Sequence, residues 1–190
     1  FKEIAKQSRT ITWEVDLDGN YLYISEVVKD VLGYETEEVI NKMSLFDFHP
    51  EKVKEKYKNE QLNIFSKGEN YSNFENILLT KDGKEVWVST SGVPVYDEYG
   101  YVKGFRGSDI DISIRKYTEQ ALKDSEDTLN HFFSQSTAGF FFMMLDEPVY
   151  WNDEIDKEAT MDYILDHHRM TKINQAMLDQ YLAKEEDFIG

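Results

Sequence analysis

Tyr71-Ser-Asn-Phe-Glu-Asn-Ile-Leu-Leu-Thr80, then Lys81-Asp-Gly-Lys84, Glu85-Val-Trp-Val-Ser-Thr-Ser-Gly-Val-Pro-Val95, Asp97-Glu-Tyr-Gly100 and Tyr101-Val-Lys-Gly-Phe-Arg-Gly-Ser-Asp-Ile110 decide the fold. Three runs rich in β-branched and aromatic residues are separated by two short polar turns, each holding a glycine. Strands joined so tightly pair antiparallel, because a parallel pair needs a crossover of about a dozen residues or more. Pro94 marks the end of the second run as an edge or an irregularity. Gly104 and Gly107 lie inside the third run, where glycine signals a bulge or a close backbone approach.

Working outward toward the N-terminus, Ile11, Trp13 and Val15 alternate with polar residues and share one face of a half-buried strand. Asp18-Gly19-Asn20 is a turn, and Tyr21–Ser25 returns as the second strand of a hairpin. Ser25 is placed to cap a short helix whose apolar residues are Val27, Val28, Val31 and Leu32, and Gly33 ends it. Thr36 is the expected N-cap of a second short helix, with Glu37 and Glu38 in its first turn. His49-Pro50 opens a longer helix to about Lys67, with Val53, Tyr57, Leu62 and Phe65 along one side and Gly68 closing it. Two strands, helices, then three hairpin-linked strands predict an α+β domain with an antiparallel sheet and helices on one face. The absence of βαβ alternation excludes a dinucleotide-binding sheet.

Toward the C-terminus the pattern changes. Thr118, Leu122, Ser125, Leu129 and Phe132 recur at spacings of four and three, giving a coiled-coil-like seam over residues 112–136; a single amphipathic helix packed on its own domain is the alternative. Asp111 or Ser113 would cap that helix. Gly139–Leu145 is expected to be a buried strand, Asp156–His168 a helix, and Met170–Tyr181 and Glu185–Ile189 helical as well. Three segments follow: 1–111, 112–136 and 137–190.

The net charge of −16 argues against nucleic acid and anionic membrane surfaces as partners. Residues 1–111 hold 14 basic and 21 acidic residues, against 7 and 16 in residues 112–190, so acid is densest in the C-terminal part. There is no cysteine, which removes disulfides and thiolate chemistry and fits a reducing, cytoplasmic setting. No apolar run approaches the ~20 residues that span a bilayer. A chain beginning at Phe1 is expected to be part of a longer protein.

Several stretches resemble a bacterial PAS (PAS/PAC, sensory box) domain: Trp13-Glu-Val-Asp16, Asp18-Gly19, Tyr23-Ile-Ser25, Val31-Leu-Gly-Tyr-Glu-Thr-Glu-Glu-Val-Ile40, Lys81-Asp-Gly-Lys-Glu-Val-Trp-Val88, and Gly104-Phe-Arg-Gly-Ser-Asp-Ile-Asp-Ile-Ser113 with Arg115-Lys116. The last resembles the family's Asp-Ile-Thr exit motif, with Ser113 in place of Thr. A second, weaker resemblance starts at Phe132 and continues in Lys172–Tyr181 and Glu185–Gly190, with 146–170 as an insertion and the later strands of that copy absent. The resemblance implies a five-stranded antiparallel sheet cupping a small cavity, and an exit helix leading to a histidine kinase or a diguanylate cyclase. It implies a module that senses a small-molecule ligand, or alternatively a ligand-free dimerisation and relay module.

Trp13, Phe46, Phe74, Trp87, Thr90 and Phe105 are the candidate cavity residues, with a simply filled aromatic core as the alternative. Asp111 and Ser113 are the candidate relay residues, and Leu122, Leu129 and Phe132 the seam of a homodimer. Without cysteine no flavin adduct forms. Haem would need an axial ligand, and in the first domain only His49 is available, where a capping or surface role is expected. His167 and His168 are adjacent and unsuited to one metal, and His131 lacks the neighbours of a phosphoacceptor. No nucleophile motif or phosphate loop is present, so the chain is not expected to be an enzyme.

Overall fold

Strand β1 (Thr10–Asp16) buries every second residue, so Ile11, Trp13 and Val15 reach the core as their alternation requires. Strand β2 (Tyr21–Ile24) folds back on it, pairing Trp13 with Ile24. Two short helices follow, α1 (Val27–Leu32) and α2 (Thr36–Val39), then a 3-10 turn at Leu45–Phe48 and helix α3 (Glu51–Lys67). Strands β3 (Tyr71–Leu79), β4 (Glu85–Tyr96) and β5 (Val102–Asp111) complete a five-stranded antiparallel sheet of order β2-β1-β5-β4-β3. The first and last strands are therefore neighbours near the middle of the sheet. The computed structural model describes residues 7–189 and falls into two units, Phe1–Glu119 and Gln120–Gly190.

In the first unit one apolar cluster joins the inner sheet face to α1, α2, the 3-10 turn and α3. Phe65 of α3 stacks on Phe105 of β5 with ring centroids 4.1 Å apart, and both are buried. The two glycines of β5 permit a close approach of its neighbouring strands: a Cβ on Gly104 would lie 2.1 Å from the Val15 carbonyl oxygen of β1, and one on Gly107 would lie 2.2 Å from that of Ser91 on β4. Pro94 pairs with Phe105, beyond Gly92 where β3 stops pairing, so its missing N–H falls on a free stretch of edge.

Four local expectations change. Ser25 does not cap α1; its Oγ accepts from Thr12 N at 3.0 Å and ties the end of β2 to β1. The N-cap of α2 is Glu35 rather than Thr36, closed by a capping box with Glu38. On α3, Leu62 faces solvent and Gln61 is buried in its place. His49 is not at the surface: it is buried and ends the 3-10 turn as its C-cap, with Nδ1 2.8 Å from the Ile77 carbonyl oxygen of β3.

Helix α4 (Ser113–Gln135) has no fully buried residue. In the second unit β6 (Phe141–Leu145) pairs antiparallel with β7 (His168–Ile173), and α5 (Lys157–His167) occupies the connection between them. Helix α6 (Gln175–Tyr181) and a 3-10 turn at Glu185–Asp187 follow. The predicted strand is there, but it is not buried: Phe141 and Met143 are 45% and 47% exposed. Met170–Ile173, expected in a helix, belongs to β7, because Asn174 starts α6 by accepting from Met177 N. The C-terminal part is therefore a hairpin with helices, not a helical extension alone.

The two hairpins carry the same hydrogen bonds. Thr12 N donates to Ser25 Oγ while Ser25 N donates to Thr12 O; Phe140 N donates to Asn174 Oδ1 while Asn174 N donates to Phe140 O. The helix after each ends on a left-handed residue, Gly33 (φ 80°) or Leu182 (φ 52°). A short turn whose third residue reaches back with its carboxylate comes next in both: Glu35 N donates to Glu38 Oε2 and Lys184 N to Asp187 Oδ2.

Candidate functional site

Strand alternation on β5 sends Phe105, and with the same parity Asp109, toward the core. Asp109 is almost wholly buried and accepts from Thr90 Oγ1 through Oδ1 at 2.7 Å. Asn76 Nδ2 donates in turn to Thr90 Oγ1 at 2.8 Å and to Phe74 O at 3.1 Å. These three residues lie on adjacent strands β3, β4 and β5. With Tyr21, His49 and Gln61, and two leucines, they enclose a cavity of about 10 Å³, room for one water-sized group. Trp13 Nε1, Gln61 Oε1 and the Tyr71 hydroxyl are buried without a hydrogen-bond partner. The Trp13 N–H is near enough to Asp109 to favour its anion without reaching bonding geometry.

Burial dominates the electrostatics. It pushes the Asp109 carboxyl up to about 6, against the opposing pull of Thr90 and Trp13. It raises the Tyr21 and Tyr71 hydroxyls, with Asp109 adding to both, and it lowers the His49 imidazole, so that ring is neutral. Because a carbonyl only accepts, His49 Nδ1 carries the hydrogen toward Ile77 O and Nε2 keeps its lone pair.

Two residues further along, Asp111 ends β5 and joins the sheet to α4. Its Oδ1 accepts from Ser113 N at 2.9 Å and its Oδ2 from Arg9 Nε at 2.7 Å. Ser113 Oγ accepts from Trp87 N at 3.1 Å, and Ile112 N donates to Trp87 O at 2.8 Å, so both backbone polar groups of one β4 residue hold the exit segment. In the first turn of α4, Arg115 and Lys116 both bind Glu75 of β3, and the Lys116 ammonium sits 5.3 Å over the Trp87 ring. Burial raises the Asp111 carboxyl, but the hydrogen bonds from Ser113 and Arg9 outweigh it and hold the group below its usual value.

Of the six residues expected at the cavity, Thr90 alone lines it. Trp13, Phe46 and Phe105 are core residues. Phe74 is half-buried against Tyr57, and Trp87 lies on the outer sheet face, because it alternates with the buried Val86 and Val88. Leu122, Leu129 and Phe132 are exposed, with Phe132 packing on Phe140 at 5.6 Å. Asp109, Gln61 and Asn76 were missed. Asp109 could have been found by parity, since it lies four residues after Phe105 on one strand.

The family model described as PAS fold matches residues 21–108. No curated protein matches the sequence. Among solved structures, a sensory box histidine kinase/response regulator from Burkholderia thailandensis is 19% identical, with 69% of this chain and 98% of that chain covered and a TM-score of 0.55. A PAS domain from Colwellia psychrerythraea is 23% identical over 59% of this chain and 96% of that one, with a TM-score of 0.50. The N-terminal domain of a diguanylate cyclase with PAS/PAC sensor from Marinobacter aquaeolei is 23% identical over 56% and 98%, with a TM-score of 0.49. The five-stranded α+β part of this chain has the PAS fold.

Proposed function

We propose that the chain is a sensory and signal-relay module whose PAS domain binds a small ligand in its cavity and passes its state through α4 to an output domain, a histidine kinase or a diguanylate cyclase. The observation that carries this is the join at Asp111: one carboxylate holds Arg9 and the first N–H of α4, two residues after the buried Asp109. A change around Asp109 moves β5, and the hydrogen bonds of Asp111 and Ser113 hand that movement to the helix. A cavity of about 10 Å³ suits a small polar occupant, not a flavin or haem. The ligand-free dimerisation and relay reading is favoured by a different observation, the stacked Phe65–Phe105 pair that fills the aromatic centre.

Residues 137–190 fit the first part of a second PAS-type domain, supported by the hydrogen bonds shared between the two hairpins. Residues 112–136 then act as the signalling helix, and Leu122, Leu129 and Phe132 offer a seam for a homodimer. The setting is cytoplasmic, without contact to nucleic acid or membrane; among the described residues no helix is long and apolar enough to cross a bilayer. The test is Asp111→Ala in the protein with its output domain. Output activity should lose its dependence on the sensory state while the sheet stays folded by hydrogen exchange; output that remains fully responsive overturns the proposal.

A further inference from the structure

The cavity beside Asp109 has a definite chemical demand. Asp109 Oδ1 is bonded by Thr90, and the other donor close to the carboxylate, the Trp13 N–H, stays short of bonding geometry. Gln61 Oε1 is buried without a partner, and His49 contributes a lone pair on Nε2. The space is therefore acceptor-rich. Besides Asp109 the titratable groups that line it are Tyr21 from β2 and His49 from the segment before α3, with Tyr71 and Asp47 felt at Tyr21 and Lys54 felt at His49. Neither lining group is a cation at neutral pH, and no lysine or arginine lines the cavity. A buried carboxylate with one hydroxyl donor and no counter-ion is costly. A neutral water would fill the space and bond the oxygens, but would leave the charge uncompensated. An anion would meet Asp109 directly, and an apolar or ring-shaped ligand exceeds the volume.

We propose that this cavity is a binding site for an ammonium-type cation, a water-sized ion with N–H donors, seated among Asp109 Oδ2, Gln61 Oε1 and His49 Nε2. This deepens the sensory reading above and rests on it, since it names the class of ligand that the PAS cavity takes. Each acceptor would receive one N–H, and the Tyr21 hydroxyl closes the site on the β2 side. Binding stabilises the anion of Asp109, so it is strongest above the carboxyl's value of about 6 and is lost when the carboxyl is protonated.

The test is the unfolding temperature of the chain in ammonium, potassium and tetramethylammonium chloride at equal ionic strength. At pH 7.5 ammonium should raise the midpoint by about 4 °C or more relative to both other salts. That difference should vanish at pH 5 and in Asp109→Asn, and shrink in Gln61→Met, which removes an acceptor without touching the carboxylate. Potassium acting as well as ammonium, or an ammonium effect that survives in Asp109→Asn, overturns the site. So does the absence of any ammonium effect in the wild type. Hydrogen exchange of residues 113–119 reads the relay separately, so a failed ammonium response with α4 still coupled to Asp109 overturns this ligand and leaves the relay standing.

Discussion

The hairpin β1–β2 and the hairpin β6–β7 are bonded alike and buried unlike. Both close with a side-chain acceptor on the residue after the second strand, Ser25 or Asn174, and both lead to a helix with a left-handed end. Trp13 pairs with Ile24 and is fully buried; Phe141 pairs with Ile173 and is 45% exposed. The difference lies in neighbours. Strand β1 has β5 on its other edge and three helices over its inner face, whereas among the described residues β6 pairs with β7 alone. The closing hydrogen bonds of each strand pair are thus set by a few residues. Burial is supplied by strands and helices distant in sequence, and an isolated two-stranded sheet gains little of it.

The largest expected effect follows from that contrast. Trp13→Ala should cost the first unit about 3–5 kcal/mol, because it empties a closed core site. Phe141→Ala should change the second by less than about 1 kcal/mol, as at an exposed position. Hydrogen exchange read separately on β1 and β6 peptides measures both; equal losses would mean that the two hairpins are covered to the same degree.

A smaller effect sharpens the contrast through pH, since the buried carboxylate belongs to the first unit. Asp109 has a folded value of about 6 against 3.8 for the free group, so the native state binds the proton more tightly than the unfolded chain. The stability this gives is full below pH 3.8 and is lost as pH rises to about 6, a change of roughly 3 kcal/mol. Asp111 works in the opposite sense: its folded value is depressed, so its contribution is present above the unfolded value and is lost as pH falls. The clean observable is therefore a difference. The stability of Asp109→Asn minus that of the wild type should grow by about 2 kcal/mol between pH 4 and 7, with β6 and β7 unaffected. A flat difference would show that Asp109 is solvated.

How much of this was legible in the sequence follows the same division. The five strands, the turns at Gly19, Gly83 and Gly100, and the close approaches at Gly104 and Gly107 are local signals, and the sheet could be written from them. Asp111 was legible because it sits where a strand ends and a helix begins. The cavity was not. Aromatic residues are equally consistent with a lining and a filling, and Trp13 and Phe105 fill. The residues that do line the cavity are polar, and their burial depends on which strand faces which. Asn76, Thr90 and Asp109 meet through the β3–β4–β5 register, and Gln61 enters from α3 by a rotation that placed Leu62 outside. Met170–Ile173 was mistaken for helix because its strand character depends on pairing with β6, 25 or more residues away.

The central claim is that the state of Asp109 reaches α4 through Asp111. Its most direct measurement is the hydrogen exchange of the amides of residues 113–119 at one fixed pH of about 7.5, above the Asp109 value, in the wild type, Asp109→Asn, Asp111→Ala and the double variant. The account predicts that Asp109→Asn shifts the protection of this first turn in the wild-type background and leaves it unchanged once Asp111 is alanine. Protection that is indifferent to Asp109→Asn in both backgrounds, or that shifts equally in both, would contradict it.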